Sequence, residues 1–444
     1  TAHTGHIPTH TTTTYAAADK PIQTTTLTPA GYATTTRTFD SFGRELTETD
    51  PLGHTTATSY DDAFVDATGL TVTQTLSLDP LGRATRLTTN AHNLPATIES
   101  LDATGHTIKT ESSTYTLTKL PTLHTTNGIT TRRSYDPCGR LRILDEAHGT
   151  PHERRTLYTY TPSGLIATLA KPGGTTLTYT YNDLDHPTSL TSNDGSIDYA
   201  YTADILGNIL TATDTRTGAA TTRTYTPSGL LTRETLANGL STTSTYDTAA
   251  RRTHLTLPDG SHIAYHYTAD RLTTITRSAL THTYSHSYDY TCDLPTGECH
   301  IASLGTTRHT YDLLCRPLTT ATPYTTTTIH AYDPCGNILS CDDKRFTYDA
   351  HNHLASEPGH TYTYDASHNR LSHNAEKTTH TPLHTQEGLD HTPTGCPLAH
   401  NDAELTYDAL DRLIAYRNGS VDITYTYDAF DRRVTKTVNG TPTH

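Results

Sequence analysis

The chain has 444 residues, 33% of them hydrophobic and 18% charged, with 32 basic against 46 acidic side chains for a formal charge of −14. That balance offers no basic field to a nucleic-acid backbone or an anionic lipid surface, and no apolar run approaches the roughly 20 residues of a membrane helix. The polarity is not that of a disordered chain either, because 28 Tyr and a large excess of Thr are strand formers.

The expected elements are therefore strands. Thr1 opens a sequence without Met or Trp, and the expectation is a slice of a longer protein whose chain continues beyond residue 444. Residues 1–30 read as an irregular or degenerate Thr-rich repeat and residues 31–374 as a run of true repeats. In that run an aromatic residue leads into a turn at Phe39, Tyr60, Tyr135, Tyr160, Tyr181, Tyr201, Tyr225, Tyr246, Tyr267, Tyr288, Tyr311, Tyr332, Tyr348 and Tyr364. The spacing is mostly 20 to 25 residues. Residues 375–403 hold no Tyr and read as an interrupting loop or insertion; repeats resume over residues 404–444, at Tyr407 and Tyr427.

One unit, "YTPSGLLTRETLANGLSTTSTYD" from Tyr225 to Asp247, shows the construction: a turn, a strand, a second turn, and a strand that delivers the next Tyr. Asn127-Gly128, Asp194-Gly195, Asn238-Gly239, Asp259-Gly260, Asn418-Gly419 and Asn439-Gly440 are expected as type I′ hairpins, which need positive φ at both central residues. The other turn is Asp-led, as in "YDPCGR": Asp bonds the backbone two residues on, Pro presets φ, and Gly takes the left-handed position. The residues assigned to this structural role are Tyr135, Asp136, Gly139, Tyr246, Asp247, Tyr311, Asp312, Tyr332, Asp333, Gly336, Tyr407, Asp408, Tyr427 and Asp428. Alternation sets the faces: in "SVDITYTY", Val421, Ile423, Tyr425 and Tyr427 share one side, and Asp422, Thr424 and Thr426 the other. Such units cannot bury a face alone, so they stack into a long antiparallel sheet.

"YDPCGRL", "YDALDRLIAY", "YDAFDRRVT", "DPLGHTTATSYD" and "YDLLCRPL" resemble the YD repeats of the Rhs family, shared by bacterial Rhs polymorphic toxins, Tc toxin C components and teneurins. The resemblance covers roughly residues 30–440. It implies an all-β fold, a spiralling antiparallel sheet of hairpins forming part of a hollow shell or barrel-like solenoid. In the bacterial members such a shell encloses a C-terminal toxin segment of the same polypeptide; in teneurins it is extracellular and adhesive. The self-cleaving core that closes the shell, ending in Asp-Pro-Ile-Gly-Leu, is not matched: Asp50-Pro51-Leu52-Gly53-His54 and Asp79-Pro80-Leu81-Gly82-Arg83 lie inside ordinary repeats.

Chemistry is sparse in this pattern. Among 28 His, the pairs His262 with His266, His282 with His286, and His351 with His353 share a strand face if extended, but no carboxylate completes a ligand set. Asp136, Asp333, Asp408 and Asp428 read as turn formers rather than catalytic carboxylates. There is no phosphate loop and no nucleophile elbow. Seven Cys leave one unpaired; Cys138 and Cys335 are turn residues, and Cys292 with Cys299 could close a short loop. The reading is a non-catalytic shell segment of a secreted Rhs/Tc-type toxin, with no cofactor and no catalytic, cofactor-binding or metal residues. Its expected partners are the enclosed segment and a delivery component or surface receptor. The alternative is a structural or adhesive surface protein.

Overall fold

The computed structural model describes residues 11–16, 19–279, 282–291, 294–299 and 306–443, and every named element in it is a β-strand. The protein is all-β. Its chain forms two compact units: Thr1–Gly128 with His266–Ile275 and Tyr284–Thr378, and Ile129–Tyr265 with Thr276–Thr283 and Thr379–His444. In the first, strands from Thr11–Tyr15 to Pro121–Thr126 pair antiparallel, each with its successor. In the second, the same rule runs from Ile129–Tyr135 to His262–Thr268 and again from Ala399–His400 to Thr441–Thr443.

One turn geometry recurs. In Asp136-Pro137-Cys138-Gly139-Arg140, the N–H of Gly139 donates to the Asp136 carbonyl at 2.9 Å and the N–H of Asp136 to the Arg140 carbonyl at 2.9 Å. Gly139 has φ +80°, so this is a turn followed by a left-handed residue, which adds one residue to the return strand and raises the local twist. The register slips at that place: Ser134 faces Ile143 while Tyr135 faces Leu141. Slips recur between Thr159 and Tyr160, Thr310 and Tyr311, and Thr426 and Tyr427.

This geometry absorbs more of the sequence than Asp-Pro-x-Gly suggests. Of the six Asn-Gly and Asp-Gly pairs, Asn127-Gly128 and Asn439-Gly440 have both residues at positive φ. Asn238-Gly239 and Asp259-Gly260 instead close the common turn, with the N–H of Leu236 on the Leu240 carbonyl at 2.8 Å and that of Leu257 on the Ser261 carbonyl at 2.9 Å. Asn418 ends a strand and pairs with Val421, and Asp194-Gly195 belongs to a longer loop between Ser192 and Ile197. The two genuine hairpins gain a clasp: Asn127 Oδ1 accepts the Thr110 N–H at 3.0 Å and Asn439 Oδ1 that of Asp422 at 2.8 Å, each completing the pairing one strand further back. Tyr60 does not lead into a turn, because its strand runs on to Val65 and turns at Asp66.

Between residues 375 and 403 the strands shorten to Glu376–Lys377 and Ala399–His400 and two isolated bridges, His380 with Gln386 and His391 with Pro397. The turn survives there without its tyrosine, as Thr381–Thr385 and Thr392–Cys396, each closed at 2.8 Å.

The two sheet faces differ as alternation requires. On one, threonines pair across strands through their hydroxyls, Thr159 with Thr168 at 2.6 Å, Thr202 with Thr211 at 2.7 Å and Thr426 with Thr435 at 2.6 Å. The other carries the tyrosines. In the second unit Leu177, Ile197, Tyr199 and Ala409 form a buried cluster, flanked by Leu169, Tyr179, Leu190 and Tyr201. Cys138, Cys335, Cys341 and Cys396 form no disulfide; the short loop that Cys292 and Cys299 could close lies outside the described side chains.

Several turns force a residue with a Cβ into the left-handed position, among them Ala250 at φ +62°. An L-residue there costs roughly 1–2 kcal/mol, against a smaller entropic cost for glycine. Ala250→Gly is expected to raise unfolding stability by about 0.5–1 kcal/mol, read as a higher urea midpoint at unchanged slope.

Candidate functional site

The repeated feature that gathers charge, aromatic rings and buried polar groups is the row of turns, built outward from one aspartate in each. Asp136 Oδ1 accepts the N–H groups of Cys138 and Arg140, both at 2.9 Å, and its Oδ2 accepts Arg140 Nε at 2.7 Å. The arrangement returns at Asp247 with Arg251, Asp312 with Arg316, Asp408 with Arg412 and Asp428 with Arg432, the Oδ2 to Nε distances lying between 2.7 and 2.9 Å. At Asp333 the fourth position is Asn337, whose Nδ2 donates to Oδ2 at 2.8 Å; at Asp349 it is His353, with Nδ1 at 2.9 Å. The carboxylate thus fastens two amides and one side chain, and planar guanidinium is the donor best shaped for it.

The guanidinium also reaches forward. Arg140 lies over the ring of Tyr160 at 4.7 Å, Arg316 over Tyr332 at 4.3 Å, Arg412 over Tyr427 at 4.7 Å and Arg44 over Tyr60 at 4.1 Å. Each of these tyrosines donates its hydroxyl to the carbonyl just after that arginine: Tyr160 to Leu141 at 2.6 Å, Tyr332 to Pro317 at 2.6 Å, Tyr427 to Leu413 at 2.8 Å and Tyr60 to Glu45 at 3.1 Å. Tyr246 does the same to Leu231 at 2.7 Å. Tyr135, Tyr311 and Tyr407 stand at the same strand ends, each one residue before its aspartate. Gly139 and Gly336 take the left-handed position, at φ +80° and +92°. The sequence reading placed the tyrosines and aspartates but missed the arginines. The recurring Asp-x-x-x-Arg spacing was the signal.

In the second unit the last two Asp-led turns settle on the tyrosine face of earlier strands. Arg412 Nη2 donates to the Tyr199 hydroxyl at 2.7 Å, the N–H of Ala409 to Ser196 Oγ at 2.8 Å, and Lys171 Nζ to the Ala409 carbonyl at 2.9 Å. Arg432 Nη1 donates to Glu234 Oε2 at 2.8 Å, and Arg223 lies 3.5 Å from the centroid of the Phe430 ring while pairing with Glu234. Asp428 is 4% exposed and also accepts the Thr221 hydroxyl at 3.3 Å. The turn at Thr392 is pressed against Gly173 by Pro393, and Arg154 holds the Thr394 carbonyl at 3.2 Å.

These surroundings set the carboxylates. Burial alone would push Asp428 up, yet the Arg432 guanidinium and the N–H groups of Arg432 and Phe430 hold it below the usual range. Asp136 is lowered by the Arg140 amide first and its guanidinium next, and Asp247 likewise by Arg251. Burial raises Tyr427 and Tyr160, which stay protonated and keep donating.

Asp145, His148 and Glu153 bring possible metal ligands together, but both oxygens of the fully buried Asp145 are taken, by Arg155 Nε and Arg132 Nη2, each at 2.6 Å. An open groove of about 590 Å³ lies beside Pro151–Arg154, Gly173 and Pro393, with Glu153, Glu387 and His391 among its lining side chains. His351 and His353 fall in a turn, not on an extended strand; His262 and His266 do lie on one strand, and the side chain of His282 is outside the described residues.

The RHS Repeat family profile matches residues 225–262, the unit whose turns are described above. That stretch carries the Rhs, or YD, repeat pattern. Its fold matches the crystal structure of TcdB2-TccC3-Cdc42 at TM-score 0.78 and 14% identity, over 96% of this chain and 28% of that one. TcdB2-TccC3 matches at TM-score 0.77 and 15% identity over 96% and 28%, and the Photorhabdus luminescens Tc holotoxin pore at 0.76 and 15% over 96% and 27%. The chain thus spans under a third of the length of these solved relatives. No curated protein matches it in sequence.

Replacing Asp428 by Ala removes charge-assisted bonds in a buried turn and is expected to cost about 2–3 kcal/mol, more than Asp136→Ala in an open turn. Because folded Asp428, Asp136 and Asp247 titrate below their unfolded value, their stabilisation is complete above the unfolded value near pH 4 and is lost as pH falls through the lower folded values. Urea midpoints are expected to drop as pH is taken below about 4, less steeply in Asp428→Asn than in the parent.

Proposed function

We propose that this chain is a non-catalytic wall segment of a large secreted protein of the Rhs/Tc toxin class, its repeats forming part of a shell around a C-terminal toxin segment of the same polypeptide. The observation that carries the reading is the fold match over 96% of the chain to TcdB2-TccC3. The turn chemistry supports a structural role: the carboxylates of Asp136, Asp247, Asp312, Asp408 and Asp428 each close a turn and hold the arginine four residues on. In this role its partners are the enclosed segment and a delivery component or a surface receptor. The formal charge of −14 gives nucleic acid no attractive surface. The protein acts outside the cell, secreted or at the surface.

The test uses the whole native polypeptide that carries these repeats. Electron-microscopic imaging is expected to show a closed body with enclosed density, and limited proteolysis to spare the C-terminal segment until the repeats are cut or unfolded. An open ribbon or filament, with the C-terminal segment cleaved at the rate of a free peptide, would overturn the reading in favour of an adhesive surface protein.

A further inference from the structure

One pair of neighbouring turns departs from the row. In the first unit, Asp349-Ala350-His351-Asn352-His353 has His353 where other turns have arginine, and Asp365-Ala366-Ser367-His368-Asn369 has His368 at the left-handed position, φ +70°. The standard chemistry of these two slots is seen where Arg412 donates to Asp431 Oδ1 of the next turn at 2.8 Å. Here two imidazoles occupy them, and His353 Nε2 meets His368 Nδ1 at 2.6 Å. His351 joins them. Its ring centroid is 5.7 Å from that of His353 and 5.5 Å from that of His368, which are themselves 4.7 Å apart.

We propose that His351, His353 and His368 form a binding site for a borderline transition-metal dication, Zn²⁺ by its all-imidazole donors, with Asp349 as the orienting carboxylate behind it. Three imidazoles bound at about 2.0–2.1 Å around a tetrahedral ion have ring centroids about 5 Å apart, close to the centroid spacings here; the three do not yet present nitrogens within 4.8 Å of one another, so binding requires the His351 ring to turn toward the His353–His368 pair. Asp349 Oδ2 lies 2.9 Å from His353 Nδ1. The proton therefore sits on Nδ1, and the Nε2 lone pair faces His368, the carboxylate–imidazole–metal pattern. In the metal-free hydrogen bond His368 Nδ1 is the donor. Binding shifts that proton to Nε2 of the same ring through water, with no net release, and the two nitrogens open to roughly 3.3 Å.

The backbone is held for the purpose. Arg83 Nη1 donates to the Ala350 carbonyl at 3.2 Å and to Asn352 Oδ1 at 2.8 Å, fixing the residues on either side of His351. The ring of Tyr364, 4.5 Å from that of His353, limits that side chain from the other side. His351 and His353 are half-buried and His368 is exposed, leaving a solvent side for entry and for a fourth, water ligand. The nearby Lys109 is paired with Glu111 at 2.6 Å. The imidazole set suits zinc, nickel or copper and gives magnesium or calcium no hard oxygen cage.

The test compares the full chain with the double variant His353→Arg and His368→Asp, which installs the arginine and aspartate seen at Arg412 and Asp431. Zn²⁺ is titrated against a competing chelator, with thermal midpoints read in parallel. The parent is expected to bind one equivalent of Zn²⁺ more than the variant and to gain thermal stability with Zn²⁺ that the variant does not. If the double variant does not fold, His351→Ala serves in its place, in a turn slot filled elsewhere by Cys138 or Ala249, with at least a tenfold weaker parent-specific equivalent expected. Equal Zn²⁺ stoichiometry in parent and folded variant, or an unchanged affinity in His351→Ala, would overturn the proposal.

Discussion

A carboxylate that closes its own turn is the interaction on which the rest of this protein depends. The chain has too little hydrophobic content to gather its strands by burial, and its buried apolar cluster in the second unit is small. What sets the strand register is local: an aspartate binds two amides ahead of it, a left-handed residue follows, and the return strand starts one residue out of step. The slip puts the next carbonyl under the tyrosine of the following unit and the arginine over its ring. Substituting the aspartate therefore disturbs two repeats, not one.

Where this local chemistry also meets distant strands, it changes character. The Asp408 and Asp428 turns bring the same arginines into a partly desolvated contact with Tyr199 and Glu234, more than 190 residues earlier in the chain. Charged groups withdrawn from water are costly unless every partner is in place. In this contact each guanidinium meets its own aspartate together with a second acceptor. The interaction is demanding of geometry, and that demand fixes how the second unit's late turns sit on its earlier strands.

Much of the fold was legible because the repeat is written in turn residues and period-two alternation, which act over a few residues. The all-β class, the threonine and tyrosine faces, and the aspartate positions followed from that pattern alone. Legibility failed where the same letters serve different geometries. Asn238-Gly239 and Asp259-Gly260 look like two-residue hairpins, yet the Leu236 and Leu257 amides reach past them to close longer loops. Tyr60-Asp61 looks like a turn, yet its strand continues to Val65. The loop expected around residues 375–403 keeps two common turns, led by Thr381 and Thr392 in place of Tyr-Asp. The site was half legible: tyrosine and aspartate stand out by adjacency, whereas the arginine acts on a residue some 15 to 20 positions later. Nothing local in the sequence announces that Arg412 meets Tyr199, or that His353 meets a histidine in the next turn.

The forward reach of each arginine and the backward reach of each tyrosine hydroxyl make the array directional. Cut between two repeats, one fragment ends in a guanidinium and a carbonyl with their tyrosine gone, while the other begins with a tyrosine whose acceptor is missing. The two cut faces differ in charge and hydrogen-bonding sense, as the two ends of a polar filament do. A repeat can join such a face in one orientation only. Head-to-head pairing would set arginine against arginine, and tail-to-tail pairing would set donor against donor. Polarity written into the Asp–Arg turns is thus a safeguard against fusion of like ends, in a protein whose strands would otherwise pair with any edge they met.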